Sequence, residues 1–179
     1  MTYILPTGNH KDCWLVDCGD IDGIVEQGWV VKGVLITHSH YDHIYGLNNL
    51  VSVFPDVMVY TNKEGMDGLL NPKWNFSRYH EEIDDIIFSK PENICVLTNE
   101  GLISLPNGPR VEVFFTPGHE PSCLCYRIEN LLFTGDSYIP GIKVVATFPR
   151  SNRKMANASL TRIKEMENAG AIICPGHFL

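Results

Sequence analysis

Short apolar runs bounded by turn residues recur along the chain: "CWLVDC" (13–18), "GVLIT" (33–37), "VMVYT" (57–61), "VEVFFT" (111–116), "LCYRI" (124–128), "LLFTG" (131–135) and "AIIC" (171–174). Runs of this length, rich in β-branched and aromatic residues, predict strands. Between them, apolar positions at helical spacing predict helices at 42–54, 62–70, 77–88 and 155–169. In the last of these, Leu160, Ile163 and Met166 form one stripe and Gly170 supplies a stop. Asn107-Gly108, just before "VEVFF", is a hairpin-turn signal. Strands interleaved with helices predict an α/β domain whose helices cover sheets. No repeat, low-complexity tract or linker divides the chain, so residues 1–179 are read as a single domain.

Composition narrows what such a domain does. A chain of 179 residues buries roughly 70% of the surface its unfolded form exposes, so a bound metal would serve chemistry rather than rescue a small core. A net charge of −7 opposes a broad nucleic-acid footprint, which is normally basic. No apolar run approaches the roughly 18 residues of a membrane helix. The six cysteines follow an amino terminus without the basic-then-apolar pattern of a secretory leader, so reduced thiols in the cytoplasm are expected.

The chemistry concentrates in "LITHSHYDHIYG" (35–46), which places His38, His40, Asp42 and His43 within six positions, directly after a predicted strand. With 7 histidines in this chain, His-x-His-x-Asp-His arises by chance in about 1 of 2,000 such sequences. The carboxyl ends of strands in α/β sheets are where loops converge on a crevice. His38 and His40 point together from an extended turn, whereas Asp42 and His43 open the following helix, so two pairs imply two metals. The same arrangement recurs where "VEVFFTPGHEPS" leads to His119, "LLFTGDSY" to Asp136 and "AIICPGHF" to His177. Imidazole suits zinc or iron, and an aspartate can bridge two ions, a role that falls to Asp136. His10 and His80 match no such block and read as ordinary histidines.

The ordered set "THSHYDH", "TPGHEPS", "FTGDS" and "PGH" resembles the metallo-β-lactamase fold superfamily of metallohydrolases. The resemblance implies an αββα sandwich with the metal site at one edge, between two sheets. It also implies that His38, His40 and His119 hold a first metal, Asp42, His43 and His177 a second, and that Asp136 bridges them. Asp17, in "LVDCGD", would orient the metal loop without binding. The ions would be two divalent metals, zinc first, iron or manganese as alternatives. A 179-residue chain leaves no room for the large insertion of the family's RNA nucleases. The pattern is nearest to short hydrolases of the glyoxalase II type, and "LLNPKWNFSRYH" (69–80) resembles a stretch of their active-site rim.

These residues imply a hydrolase that uses a hydroxide held between two metals on a small acyl substrate, with a thioester favoured. Lactones and phosphodiesters are alternatives on the same site. A mononuclear iron oxygenase of the persulfide dioxygenase kind and a non-catalytic binding domain are further readings that an intact seven-ligand set disfavours. Tyr41 and Tyr138, each beside a ligand, are candidates to hydrogen-bond the oxyanion or leaving group. Lys143, Arg150, Arg153 and Lys154 follow Asp136 and could seat an anionic small-molecule substrate. The sequence points to no particular oligomeric state. Since ligand His177 must be held closely, strand "AIIC" is expected to pair in a sheet and Phe178 and Leu179 to pack onto the domain or a partner subunit.

Overall fold

The computed structural model describes residues 1–8 and 11–178; His10 and Leu179 lie outside them. Two five-stranded sheets face each other. One has the order β1 (Tyr3–Pro6), β2 (Asp12–Val16), β3 (Val30–Leu35), β4 (Met58–Thr61), β5 (Ile94–Val96). Its β1 and β2 are antiparallel and the remaining pairs parallel. The other runs β10 (Ile172–Pro175), β9 (Leu131–Gly135), β8 (Leu124–Ile128), β7 (Arg110–Phe115), β6 (Gly101–Ser104). Only β10 and β9 are parallel there.

Period-two alternation along each strand builds three apolar layers from this pair of sheets. On β2, Trp14 and Val16 face the opposite sheet, while Cys13 and Leu15 face helices. Tyr126 and Phe133 meet Trp14's layer from the second sheet, and Cys125 and Leu132 on the same strands look outward. The outer layers are covered by α1 (Asp22–Glu26), α3 (Leu47–Val53) and α4 (Lys63–Leu69) on one side, and by α5 (Arg153–Asn168) on the other. Both faces of the central strands are buried, which explains why they read as nearly continuous apolar runs. This is the expected αββα sandwich.

Several local expectations need correction. The helix predicted at 42–54 is two pieces, α2 (Tyr41–Ile44) and α3, separated by Tyr45 and Gly46. No α-helix forms over 77–88; a single 3-10 turn at Ser77–Tyr79 is followed by irregular backbone. That segment is held by the amide of Ile86 donating to Ser77 Oγ at 2.8 Å and the amide of Phe88 donating to the Leu69 carbonyl at 2.8 Å. Strands β1, β5 and β6, of 3–4 residues each, carry too little pattern to be read from sequence. The Asn107-Gly108 turn does join antiparallel strands β6 and β7, with Asn107 at φ 50°. The α5 stripe and its stop are also where expected, with Ile163 fully buried and Gly170 at φ 101°.

No helix among the described residues is long and apolar enough to cross a membrane. All six cysteines are unpaired.

Candidate metal centre

Four strands end at one edge of the sandwich and deliver the ligand-bearing loops. β3 leads into His38 and His40, β7 into His119, β9 into Asp136 and β10 into His177. The two sheets are stitched together there by the Leu124 amide, which donates to the Thr37 carbonyl at 2.7 Å. Asp42 and His43 sit on α2.

The predicted ligands come together in three overlapping groups able to hold an ion: His38, His40 and His119; His38, His43 and Asp136; and Asp42, His43 and His177. His119 Nε2 lies 3.1 Å from His40 Nδ1, and His43 Nε2 lies 3.2 Å from His177 Nε2. His177 Nε2 is 3.2 Å from Asp42 Oδ2. Ligand atoms around a tetrahedral zinc, each at about 2.0–2.1 Å from the ion, stand roughly 3.3 Å apart, so these spacings fit a shared cation. Asp136 faces both groups: Oδ1 is 3.4 Å from His43 and 3.5 Å from His177, and Oδ2 is 3.7 Å from His119.

The electrostatics favour a cation as well. Burial, reinforced by neighbouring imidazoles, holds His38 well below the ordinary histidine pKa and His40 at about 3, and His119 is also lowered, chiefly by burial. All three are therefore neutral donors at pH 7. The buried atoms His38 Nε2 and Asp136 Oδ1 make no hydrogen bond. An unpartnered buried polar atom costs about 1–3 kcal/mol, and a bound ion would offset that for its ligands.

Neighbouring groups fix the donors. Asp17, at the end of β2 in a left-handed conformation (φ 58°), accepts from Thr37 N at 2.7 Å and pairs with His43 Nδ1 at 2.7 Å. That leaves His43 Nε2 for the site. Burial alone would lower the His43 pKa, but Asp17 and Asp136 override it and raise it to about 10. Asp136, which burial alone would push up, is instead held at about 2 by His43 and the other imidazoles. The His119 ring is set by Nδ1 against the Val145 carbonyl at 2.7 Å. His177 is anchored by β10 pairing with β9, by Tyr3 Oη donating to the Pro175 carbonyl at 2.8 Å, and by the Met1 nitrogen donating to Gly176 O at 2.8 Å. Phe178 is 69% exposed, which corrects the expectation that it packs onto the domain.

Other expectations change too. Tyr138 is buried in the layer beneath α5, and its hydroxyl meets Lys164 and Glu167 rather than the cleft. Tyr41 does line the cleft, its ring 4.1 Å from that of His80, a residue the sequence had given no role. Of the four cations, Arg150 reaches the cleft but pairs with buried Glu120 at 3.1 Å and lies over the Trp74 ring at 4.4 Å. Lys143 lines a narrow recess beside His119, and Arg153 and Lys154 are exposed in the first turn of α5. The cleft itself has a volume of about 940 Å³. Much of its wall is aromatic: Trp74, Phe76 and Tyr79 come from the 69–80 stretch that resembles an active-site rim, and Phe148 joins them from a position no pattern marks.

Residues 8–177 match the family model described as the metallo-beta-lactamase superfamily. The chain belongs to that superfamily. A hydroxyacylglutathione hydrolase from Pseudoalteromonas translucida is 31% identical over 143 residues, 78% of this chain and 46% of the relative. The chain spans about half the length of the curated relatives it matches. Among solved structures, BLEG-1, a B3 metallo-beta-lactamase, superposes with TM-score 0.82 at 24% identity, covering 100% of this chain and 92% of that one. TTHA1623 in a di-iron-bound form gives TM-score 0.78 at 22% identity, covering 99% and 87%. Superfamily membership and the His/Asp groups together make this a metallohydrolase-type centre, with ligands suited to divalent metal.

Proposed function

We propose that this chain is a dinuclear metal-dependent hydrolase of a small acyl substrate, a thioester in the first instance. His38, His40 and His119 hold the first ion, and Asp42, His43 and His177 the second. The observation that carries the two-ion reading is Asp136, whose two oxygens face different ligand groups. Zinc is the metal we assign, with iron or manganese as alternatives, because imidazoles predominate among the ligands. Bound there, two divalent ions lower the pKa of water and polarise the acyl oxygen.

The chain's own groups supply the rest. Asp17 fixes the orientation of the His43 imidazole and the Val145 carbonyl that of His119, and aromatic side chains line the cleft beside them. Tyr41, beside Asp42, is the side chain we assign to the leaving group. In hydrolysis a water oxygen bonds to the acyl carbon and the carbon–sulfur bond breaks. Sulfur leaves with the electron pair and takes a proton, giving a carboxylic acid and a thiol. The name of the hydroxyacylglutathione hydrolase relatives supports the thioester reading.

Zinc-loaded protein assayed on matched thioesters, lactones and phosphodiesters tests this. Turnover of a thioester at the highest kcat/KM is expected. Turnover confined to another class, or oxygen consumption with a persulfide in place of hydrolysis, would reject the thioester assignment.

A further inference from the structure

The wall of the cleft nearest the ligand histidines is made of two phenylalanines from opposite sides. The Phe76 ring is tilted against that of His40 at 4.8 Å, Phe148 lies 5.4 Å from His40 and 5.5 Å from His119, and the two phenylalanines are 5.2 Å apart. Phe76 is held in a left-handed backbone conformation, φ 67°, which a bulky residue adopts only when its surroundings impose it. Here they do. The fully buried Asn75 donates from Nδ2 to the Gly68 and Ile86 carbonyls at 3.1 and 2.8 Å, and its Oδ1 accepts from Ser77 N at 3.0 Å. Its own carbonyl accepts from Tyr41 N at 2.8 Å, tying the strained turn to the metal loop. The fold thus spends backbone strain to set an aromatic ring against a ligand.

The charge in the cleft is arranged to match. Arg150 is neutralised by Glu120 and covered by Trp74. Lys73, exposed at the rim, is the lining lysine or arginine without an ion pair among the described residues. A glutathione moiety carries two carboxylates and an ammonium, and this wall offers it little. An apolar group on the reacting carbonyl, by contrast, would find rings that touch the ligand histidines.

Building on the hydrolase reading above, we propose that the cleft selects acyl groups that are aromatic or bulky and apolar, with Phe76 and Phe148 as specificity-determining residues. Burying even one methylene in an apolar site changes specificity by about tenfold or more, so a phenyl ring has an effect at least that large.

The test compares S-phenylacetyl and S-acetyl esters of N-acetylcysteamine, and S-acetylglutathione, on zinc-loaded protein. The phenylacetyl ester is expected to exceed the acetyl ester in kcat/KM by about tenfold or more. Phe76→Asn, which removes the ring while tolerating a left-handed backbone, should pull that ratio towards one; Phe148→Ala should do the same and carries the test if the first variant folds poorly. A wild-type ratio near one, a ratio unchanged in both variants, S-acetylglutathione as the best substrate, or a preference that follows an aromatic thiol would overturn the proposal. If no thioester is hydrolysed, the hydrolase reading fails, and calorimetry with phenylacetate and acetate decides the inference separately. Phenylacetate binding about tenfold tighter supports it, and equal binding overturns it.

Discussion

The two halves of the metal centre are built differently. His38, His40 and His119 are each buried and lie on loops joined by direct contacts: Ser39 N donates to Ser122 Oγ at 3.0 Å, and Ser151 Oγ donates to the His119 carbonyl at 2.6 Å. Asp42 and His177 are 36% and 41% exposed, and only His43 of that group is buried. The first group is preorganised by the sandwich. The second depends on Asp17 behind His43 and on the edge strand that carries His177. A ligand set already held in place loses less entropy on binding, so the buried group should take metal first and the open group should be the one tuned by its supports.

The contrast breaks most completely at the residue the halves share. Asp136→Ala should lose more metal than any single histidine variant and abolish turnover, as measured by metal content alongside rate. Gly176→Ala should come next, because a Cβ there would stand 2.3 Å from Asp136 Oδ1 and 2.7 Å from His43 Cε1. It should strip the second equivalent while the first is retained, which titration of each variant with zinc would show.

Asp17→Asn sharpens the comparison. Loss of a residue that orients a metal ligand typically weakens binding about 10–100-fold, and calorimetry should place that loss on the second equivalent. A separate effect concerns the metal-free protein in acid. Below pH 6.5 the unfolded chain protonates His38, His40 and His119, whereas in the fold these are lowered, His40 to about 3. The unfolded state then binds more protons, so stability falls as pH drops, by up to about 1.4 kcal/mol per pH unit for each group. His43, raised to about 10, adds stability as pH falls until the unfolded chain is protonated there too, around pH 6.5, and so offsets part of this, but it is one group against three. Denaturant midpoints of metal-free protein at pH 7 and 5 check the sign.

The ligands were legible because each follows an apolar strand and sits in a compact block, so chemistry and local pattern coincide at "THSHYDH", "TPGH", "TGDS" and "PGH". Strands β8 and β9 were legible to the residue, bounded as they are by clear turns. The segment 77–88 misled because Ile83, Ile86, Ile87 and Phe88 have helical spacing, yet its Ile86 and Phe88 amides donate to Ser77 Oγ and the Leu69 carbonyl instead. Tyr138 misled because adjacence to a ligand in sequence says nothing of side-chain direction; it turns to α5. The aromatic wall was legible only in part: 69–80 resembles a rim, but Phe148 lies 72 positions from Phe76, and nothing local in the sequence shows that the two rings meet.

The most direct test of a two-ion centre is a zinc titration of metal-free protein, repeated with His43→Ala. The account predicts two equivalents per chain, the first tighter, and a single remaining equivalent in His43→Ala. One equivalent per chain in the parent, unchanged in the variant, would contradict it.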